Sequence, residues 1–233
     1  MKRFYKTVSV APEAKGFAVQ LDGRPIRTPE KAVLRLPNAA LAEAIAGEWR
    51  GQGETIAPLS MPLTRLANTG IDRVTAERAK AVEDVTRYGT AELMCYRAEE
   101  PPELVARQAA VWQPWLDWAA REIGAPLKLA TGVVHVAQDP ATITALRIAV
   151  ARASDLELAG LGAAVQALGS LVLGLALWRG AIEPDAATDA ALLDETFQAA
   201  KWGEDREAMQ RRLALREEVR GAARFLTLLR DGG

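Results

Sequence analysis

A chain of 233 residues, 49% apolar and 25% charged, can bury a sizeable core, and its net charge of −1 excludes a broad electrostatic footprint for nucleic acid. The one cysteine, Cys95, excludes an intramolecular disulfide and a multi-cysteine metal site, which suits a reducing compartment. After the charged start Met1-Lys2-Arg3 there is neither the apolar run of a secretory signal nor an Arg- and Ser-rich transit segment, so a cytoplasmic protein is expected.

The first third reads as β-rich. Phe17 to Leu21 and Arg24 to Thr28 flank Asp22-Gly23, a pair whose tolerance of positive φ suits a two-residue hairpin. With Phe4 to Val10 before and Ala32 to Leu36 after, the pattern predicts a four-stranded meander. Asn38 then suits the N-cap of a helix from Ala39 to about Gln52, with Leu41, Ile45 and Trp49 on one face. A helix over a small antiparallel sheet is a stable two-layer solution. The expected fold class is therefore α+β, with a small N-terminal domain over residues 1–60 and a helical domain over residues 61–233.

From Pro62 the periodicity becomes helical, with Leu63, Leu66, Ala67 and Ile71 sharing a face. Further helices are predicted over Ala76 to Arg87, Pro102 to Ile123, Pro140 to Leu158, Leu161 to Trp178, Ala186 to Trp202 and Asp205 to Leu229. Leu127 to Val136 contains β-branched residues and reads as extended. Leu161 to Trp178 is the most apolar run, but Gln166 and Ser170 interrupt it and three glycines thin it. It reads as a buried core helix, not a membrane span.

The helix ending at Gly203 has two distinct faces. Leu192, Leu193, Thr196, Phe197 and Ala200 form an apolar stripe, whereas Glu195, Gln198 and Trp202 fall on the other side. Trp202 either packs against another helix at the end of its own or stands exposed as a grip for a partner protein.

Catalytic groups are sparse. His135 is the only histidine, no serine sits in a Gly-x-Ser-x-Gly elbow, and no phosphate-binding loop ends in Gly-Lys-Ser/Thr. Gly160-Leu161-Gly162 lacks the preceding strand of a dinucleotide fingerprint and reads as a site of close helix packing. Cys95, between Met94 and Tyr96, fits inert burial better than a thiol paired with His135. Arg24, Arg27 and Arg65 could form a carboxylate grip or simply surface salt bridges. Trp112, Trp115 and Trp118 form a ridge that seals helix contacts or offers a docking surface.

Several segments together resemble one family, the Atp-twelve chaperones that assemble the catalytic head of F-type ATP synthase. They are Phe4-Tyr5-Lys6, Leu21 to Pro29, Glu48-Trp49 with Gln52, Met61 to Thr69 with Ile71-Asp72, Cys95 to Ala98, Leu193-Asp194-Glu195 with Phe197-Gln198, and Trp202-Gly203. The resemblance implies a small α+β domain followed by an orthogonal helical bundle. It implies an ATP-independent chaperone, not an enzyme, that binds the free alpha subunit and releases it to beta. It implies no cofactor, no nucleic acid and no membrane insertion, and a monomer is expected; eukaryotic relatives act in mitochondria. The important acidic position maps onto Glu195, and the expected client-binding residues are Glu195, Gln198, Trp202, Asp194, Arg65, Trp49 and Asp72. Trp49 alternatively belongs to the core, and Asp72 alternatively caps its helix. Two departures are Ala91-Glu92, where an Asp-Leu pairing is expected, and Gly70 in place of alanine, which inside a helix costs about 1 kcal/mol. The rival readings are a small-molecule hydrolase or transferase using Cys95 or His135, and a structural subunit retained in the mature synthase.

Overall fold

Asp22 and Gly23 turn the chain at φ values of +48° and +77°, the double positive-φ geometry of a type I′ hairpin, and set β2 (Gly16–Leu21) against β3 (Arg24–Pro25). β1 (Val8–Glu13) pairs antiparallel with β2 along its whole length. Just before β4 (Arg35–Leu36), Val33 bridges Arg27 antiparallel, so the fourth segment follows the third as the meander requires, and β4 itself then pairs with β2 at Phe17 and Ala18. A tight turn at Thr28–Lys31, with Lys31 at φ +68°, folds the chain straight back, and the Leu34 amide donates to the Ile26 carbonyl at 2.9 Å. Gly16 lets the two backbones meet, because a Cβ there would collide with the carbonyl oxygen of Leu36.

The computed structural model describes residues 1–132, 135–203 and 205–232, in two compact units. The first takes Met1–Arg78, Ser154–Gly160 and Gly221–Gly233; the second takes Ala79–Ala153 and Leu161–Arg220.

In the first unit, α1 (Ala39–Arg50) starts where Asn38 Oδ1 accepts from the Leu41 amide at 2.8 Å. Its Leu41, Ala42, Ile45 and Ala46 lie on the sheet, in a core with Tyr5, Val19, Leu34, Leu36, Met61, Leu63 and Phe225. α2 (Pro62–Thr69) runs into a π-helical turn, Gly70–Val74. Gly70 packs against residues at the start of α6 (Asp155–Leu168), and a Cβ there would lie 2.7 Å from Leu156 Cδ2 and 3.1 Å from Leu156 Cα. The helix-propensity argument for alanine is therefore overturned by packing: Gly70→Ala is expected to destabilise by about 1–3 kcal/mol, read as a lower urea midpoint. An unchanged or higher midpoint would show that Leu156 yields freely.

The second unit contains α3 from Ala79 onward (α3 spans Arg78–Thr86), α4 (Pro102–Trp118), α5 (Pro140–Ala151), α7 (Leu171–Trp178), α8 (Pro184–Ala191) and α9 (Leu193–Trp202). It also takes α6 from Leu161 and α10 (Arg206–Arg230) up to Arg220. Three predicted helices are divided. The one expected to reach Leu158 stops at Ala151, because Ser154 and Glu157 form a reciprocal capping box that starts α6. The one expected over Leu161 to Trp178 breaks where Gly169 adopts φ +64° and Ser170 caps α7. The one expected over Ala186 to Trp202 begins at Pro184 and breaks at Leu192, which leaves helical dihedrals. Of the segment expected to be extended, β6 (Ala130–Thr131) pairs in parallel with β5 (Tyr96–Arg97), while Val133 and Val134 lie outside the described residues. The tryptophan ridge seals the interior: Trp112 and Trp118 are buried, and Trp112 Nε1 donates to the Ala190 carbonyl at 2.8 Å. Among the described residues, no helix is long and apolar enough to cross a membrane.

Candidate functional site

α9 carries four of the residues singled out by sequence. Leu193 anchors it in the core of the second unit. Asp194 accepts from Gln108 Nε2 at 2.8 Å, and the buried Gln108 accepts from the Ala98 amide through its Oε1, so Asp194 is tied to α4 and to the strand segment before it. Glu195 meets Arg211 at 2.6 Å through one oxygen and Arg212 at 3.0 Å through the other. Partial burial opposes ionisation of its carboxyl, but the two arginine contacts prevail and hold it below the usual glutamate range.

Further along the same helix, Gln198 is exposed and Trp202 is 78% exposed. Trp202 therefore does not pack at the helix end, although a tryptophan buries more apolar area than any other residue would. Met209 and Leu213, one turn apart near the start of α10, are also exposed, so apolar side chains concentrate on the α9–α10 segment. α10 is held in this unit by a charge ladder: Arg216 pairs with Asp185 and Asp189, and Arg220 pairs with Asp185.

The remaining predicted residues lie in the first unit. Asp72 accepts from Thr28 Oγ1 at 2.6 Å and from the Glu30 amide at 3.1 Å, so its carboxylate fastens the tight turn after β3. Arg65 is exposed and, among the described residues, meets no carboxylate. Trp49 is half-buried; its carbonyl accepts from the Tyr5 hydroxyl at 2.7 Å, and its buried Nε1 has no acceptor among the described residues.

Two carboxylates outside the predicted contact set are helix caps. Glu48 accepts from the Leu63 and Thr64 amides at 2.7 and 2.8 Å and from Thr64 Oγ1, which satisfies the first turn of α2. Glu92, fully buried, accepts from Ser170 Oγ and from the amides of Leu171 and Val172, and so caps α7 from 78 residues away. The signal available for Glu92 was a lone carboxylate directly before the apolar run Leu93-Met94-Cys95. Burial pushes its carboxyl above the ordinary glutamate value, although these hydrogen bonds oppose the shift.

The Cys95 thiol is not poised for nucleophilic chemistry. Cys95 is 1% exposed, and burial, reinforced by Glu92, pushes its thiol up to about 12. His135 is exposed, with Nδ1 3.0 Å from the Tyr96 hydroxyl. No cluster of three or more His, Cys, Asp or Glu capable of holding a metal occurs among the described residues.

The model of the ATP12 chaperone protein family matches residues 2–120. The mitochondrial protein atp12 of Schizosaccharomyces pombe is 22% identical over 214 residues, 87% of this chain and 74% of its own length. Among solved structures, Atp12 from Paracoccus denitrificans is 43% identical with a TM-score of 0.94, covering 98% of both chains. A point mutant of P. denitrificans Atp12p is 42% identical, also with a TM-score of 0.94, covering 98% of this chain and 97% of its own. Fold and sequence thus define an assembly chaperone of ATP synthase. The chain belongs to the ATP12 chaperone family.

Proposed function

We propose that the chain binds the free alpha subunit of the F-type ATP synthase head, without using ATP, and masks it until it pairs with beta. A lone subunit of a ring-shaped oligomer exposes a large apolar interface, which aggregates unless covered. The observation that carries this reading is the 78% exposure of Trp202 on a helix whose position is set by ion pairs. An exposed tryptophan is the type of side chain that anchors protein interfaces, with surrounding charge setting orientation. Glu195, Gln198 and Trp202 form the principal contact, with Asp194 placing the helix; Arg65, Trp49 and Asp72 belong to a secondary contact on the first unit. The chain acts as a cytoplasmic monomer, with no cofactor and no catalytic step.

The test is co-purification of the alpha subunit with the wild-type chain and with Trp202→Ala. Loss of at least about tenfold in affinity is expected from truncating a central tryptophan. Equal capture by both proteins would remove Trp202 from the contact.

The hydrolase or transferase reading needs a reactive Cys95 or His135. With the thiol buried and its pKa at about 12, Cys95 is expected to resist iodoacetamide at neutral pH in the folded protein and to react once urea exposes it. Rapid alkylation of the native chain would favour the enzyme reading instead.

A further inference from the structure

Three segments far apart in sequence line one cavity of about 610 Å³ in the first unit. Its floor is apolar: Tyr5, Leu21 and Ile26 are buried there, with the half-buried Trp49 ring edge-on to Tyr5 at 5.7 Å. Its rim is exposed and cationic. Arg24 and Arg27 both line it, and among the described residues neither guanidinium meets a carboxylate; Arg27 only donates to the Lys31 carbonyl. The acid in the lining, Asp22, is already engaged, accepting from the amides of Lys6 and Thr7 and from Thr7 Oγ1.

Two guanidinium forks beside an apolar recess match a ligand that presents a carboxylate next to an apolar side chain. The opening distinguishes a polypeptide from a small molecule. Phe4, edge-on to Tyr5 at the rim, is 63% exposed, and both arginines stand in solvent. A site for a small ligand encloses most of its occupant, whereas this recess opens to solvent along the rim of Phe4, Arg24 and Arg27.

We infer that the cavity walled by Tyr5, Trp49, Arg24 and Arg27 is a second docking site for the protein client, taking an extended segment in which an apolar side chain neighbours an aspartate or glutamate. This rests on the client-binding reading above and adds the chemistry of the segment held. The apolar side chain seats between Trp49 and Ile26, while its acidic neighbour bridges Arg24 and Arg27. The site explains why Arg24 and Arg27 stand unpaired when many other arginines in the chain are bound to carboxylates.

The experiment measures binding of purified alpha subunit of a bacterial F-type ATP synthase to the full chain. The variants are the double substitution Arg24→Glu with Arg27→Glu, and Lys15→Glu at the turn between β1 and β2 as a control. The double variant is expected to weaken binding by at least about tenfold, with Lys15→Glu unchanged and wild-type affinity falling as salt rises. In parallel, the photo-cross-linker p-benzoylphenylalanine in place of Phe4 is expected to capture an alpha-subunit peptide with an apolar residue beside an acid. This second arm leaves both arginines intact, so it stands even where the double variant folds poorly. Failure of the wild-type chain to bind alpha overturns the client reading and this one together. Wild-type binding that the double variant matches overturns the docking site alone, as do cross-links only to a second copy of the chain or to peptides without an acid.

Discussion

Replacing Glu92 by alanine is expected to destabilise the second unit by about 3 kcal/mol or more, a fall of roughly 6–12 °C in Tm for a chain of this size. The side chain is fully buried and satisfies the amides of Leu171 and Val172 at 2.9 and 3.1 Å, besides the hydroxyl of Ser170. Removing it leaves two helix-terminal donors in an apolar interior, where unsatisfied donors cost most. Glu92→Gln retains one acceptor oxygen and is expected to cost less. The two differ from wild type in pH dependence as well. Burial raises the folded-state pKa of Glu92 above its ordinary 4.5, so the native state holds this proton to higher pH than the unfolded chain. Its contribution is then full below the ordinary value and declines as pH rises through the folded value, whereas Glu92→Gln lacks that decline. Thermal melts of the three proteins from pH 4 to pH 8 measure this. Parallel profiles for wild type and Glu92→Gln would show that Glu92 does not titrate as its burial requires.

Glu195→Lys is expected to weaken capture of the alpha subunit by at least about tenfold. Both carboxylate oxygens are occupied, one by Arg211 and one by Arg212, so the substitution places a cation on α9 against two arginines on α10. Two causes for the loss can be separated. If Glu195 acts by holding α10 against α9 within the second unit, then exchanging charges, Glu195→Arg with Arg212→Glu, restores capture. If it touches the client directly, the exchange leaves capture lost. The pKa of Glu195 points the other way from that of Glu92: the arginines hold it low in the folded protein despite partial burial. Its stabilising contribution is therefore present above the ordinary glutamate value of 4.5 and fades as pH falls through the lower folded value.

What was legible in the sequence was local. The Asp22-Gly23 hairpin, the Asn38 cap, the close packing at Gly160 and the inert burial of Cys95 each follow from the conformational or polar demands of a few neighbouring residues. At Gly160 an added Cβ would approach Phe225 and Leu226 within about 3 Å, as a packing glycine requires. The helix breaks at Ser154 and Ser170 were also written locally, in a Ser-x-x-Glu box and a Gly-Ser pair. Continuous apolar periodicity across them hid both.

Other features depended on contacts between distant residues, and periodicity carries no record of such pairs. Gly70 looked like a weak point in a helix until Leu156 was found against it. The distant donors that Glu48, Asp72 and Glu92 bind carry no local signal, since they lie between 15 and 80 residues away in sequence. The sequence by itself determined the α+β class, the hairpin, the helical remainder and the family, because these rest on spacing and on ordered short motifs. Only the tertiary structure decided that Trp202 stands in solvent and Trp112 does not, and that Arg24 and Arg27 border one cavity with Trp49. Exposure and long-range charge pairing are properties of what the rest of the chain packs against a residue, and a side chain's own neighbours in sequence do not specify that.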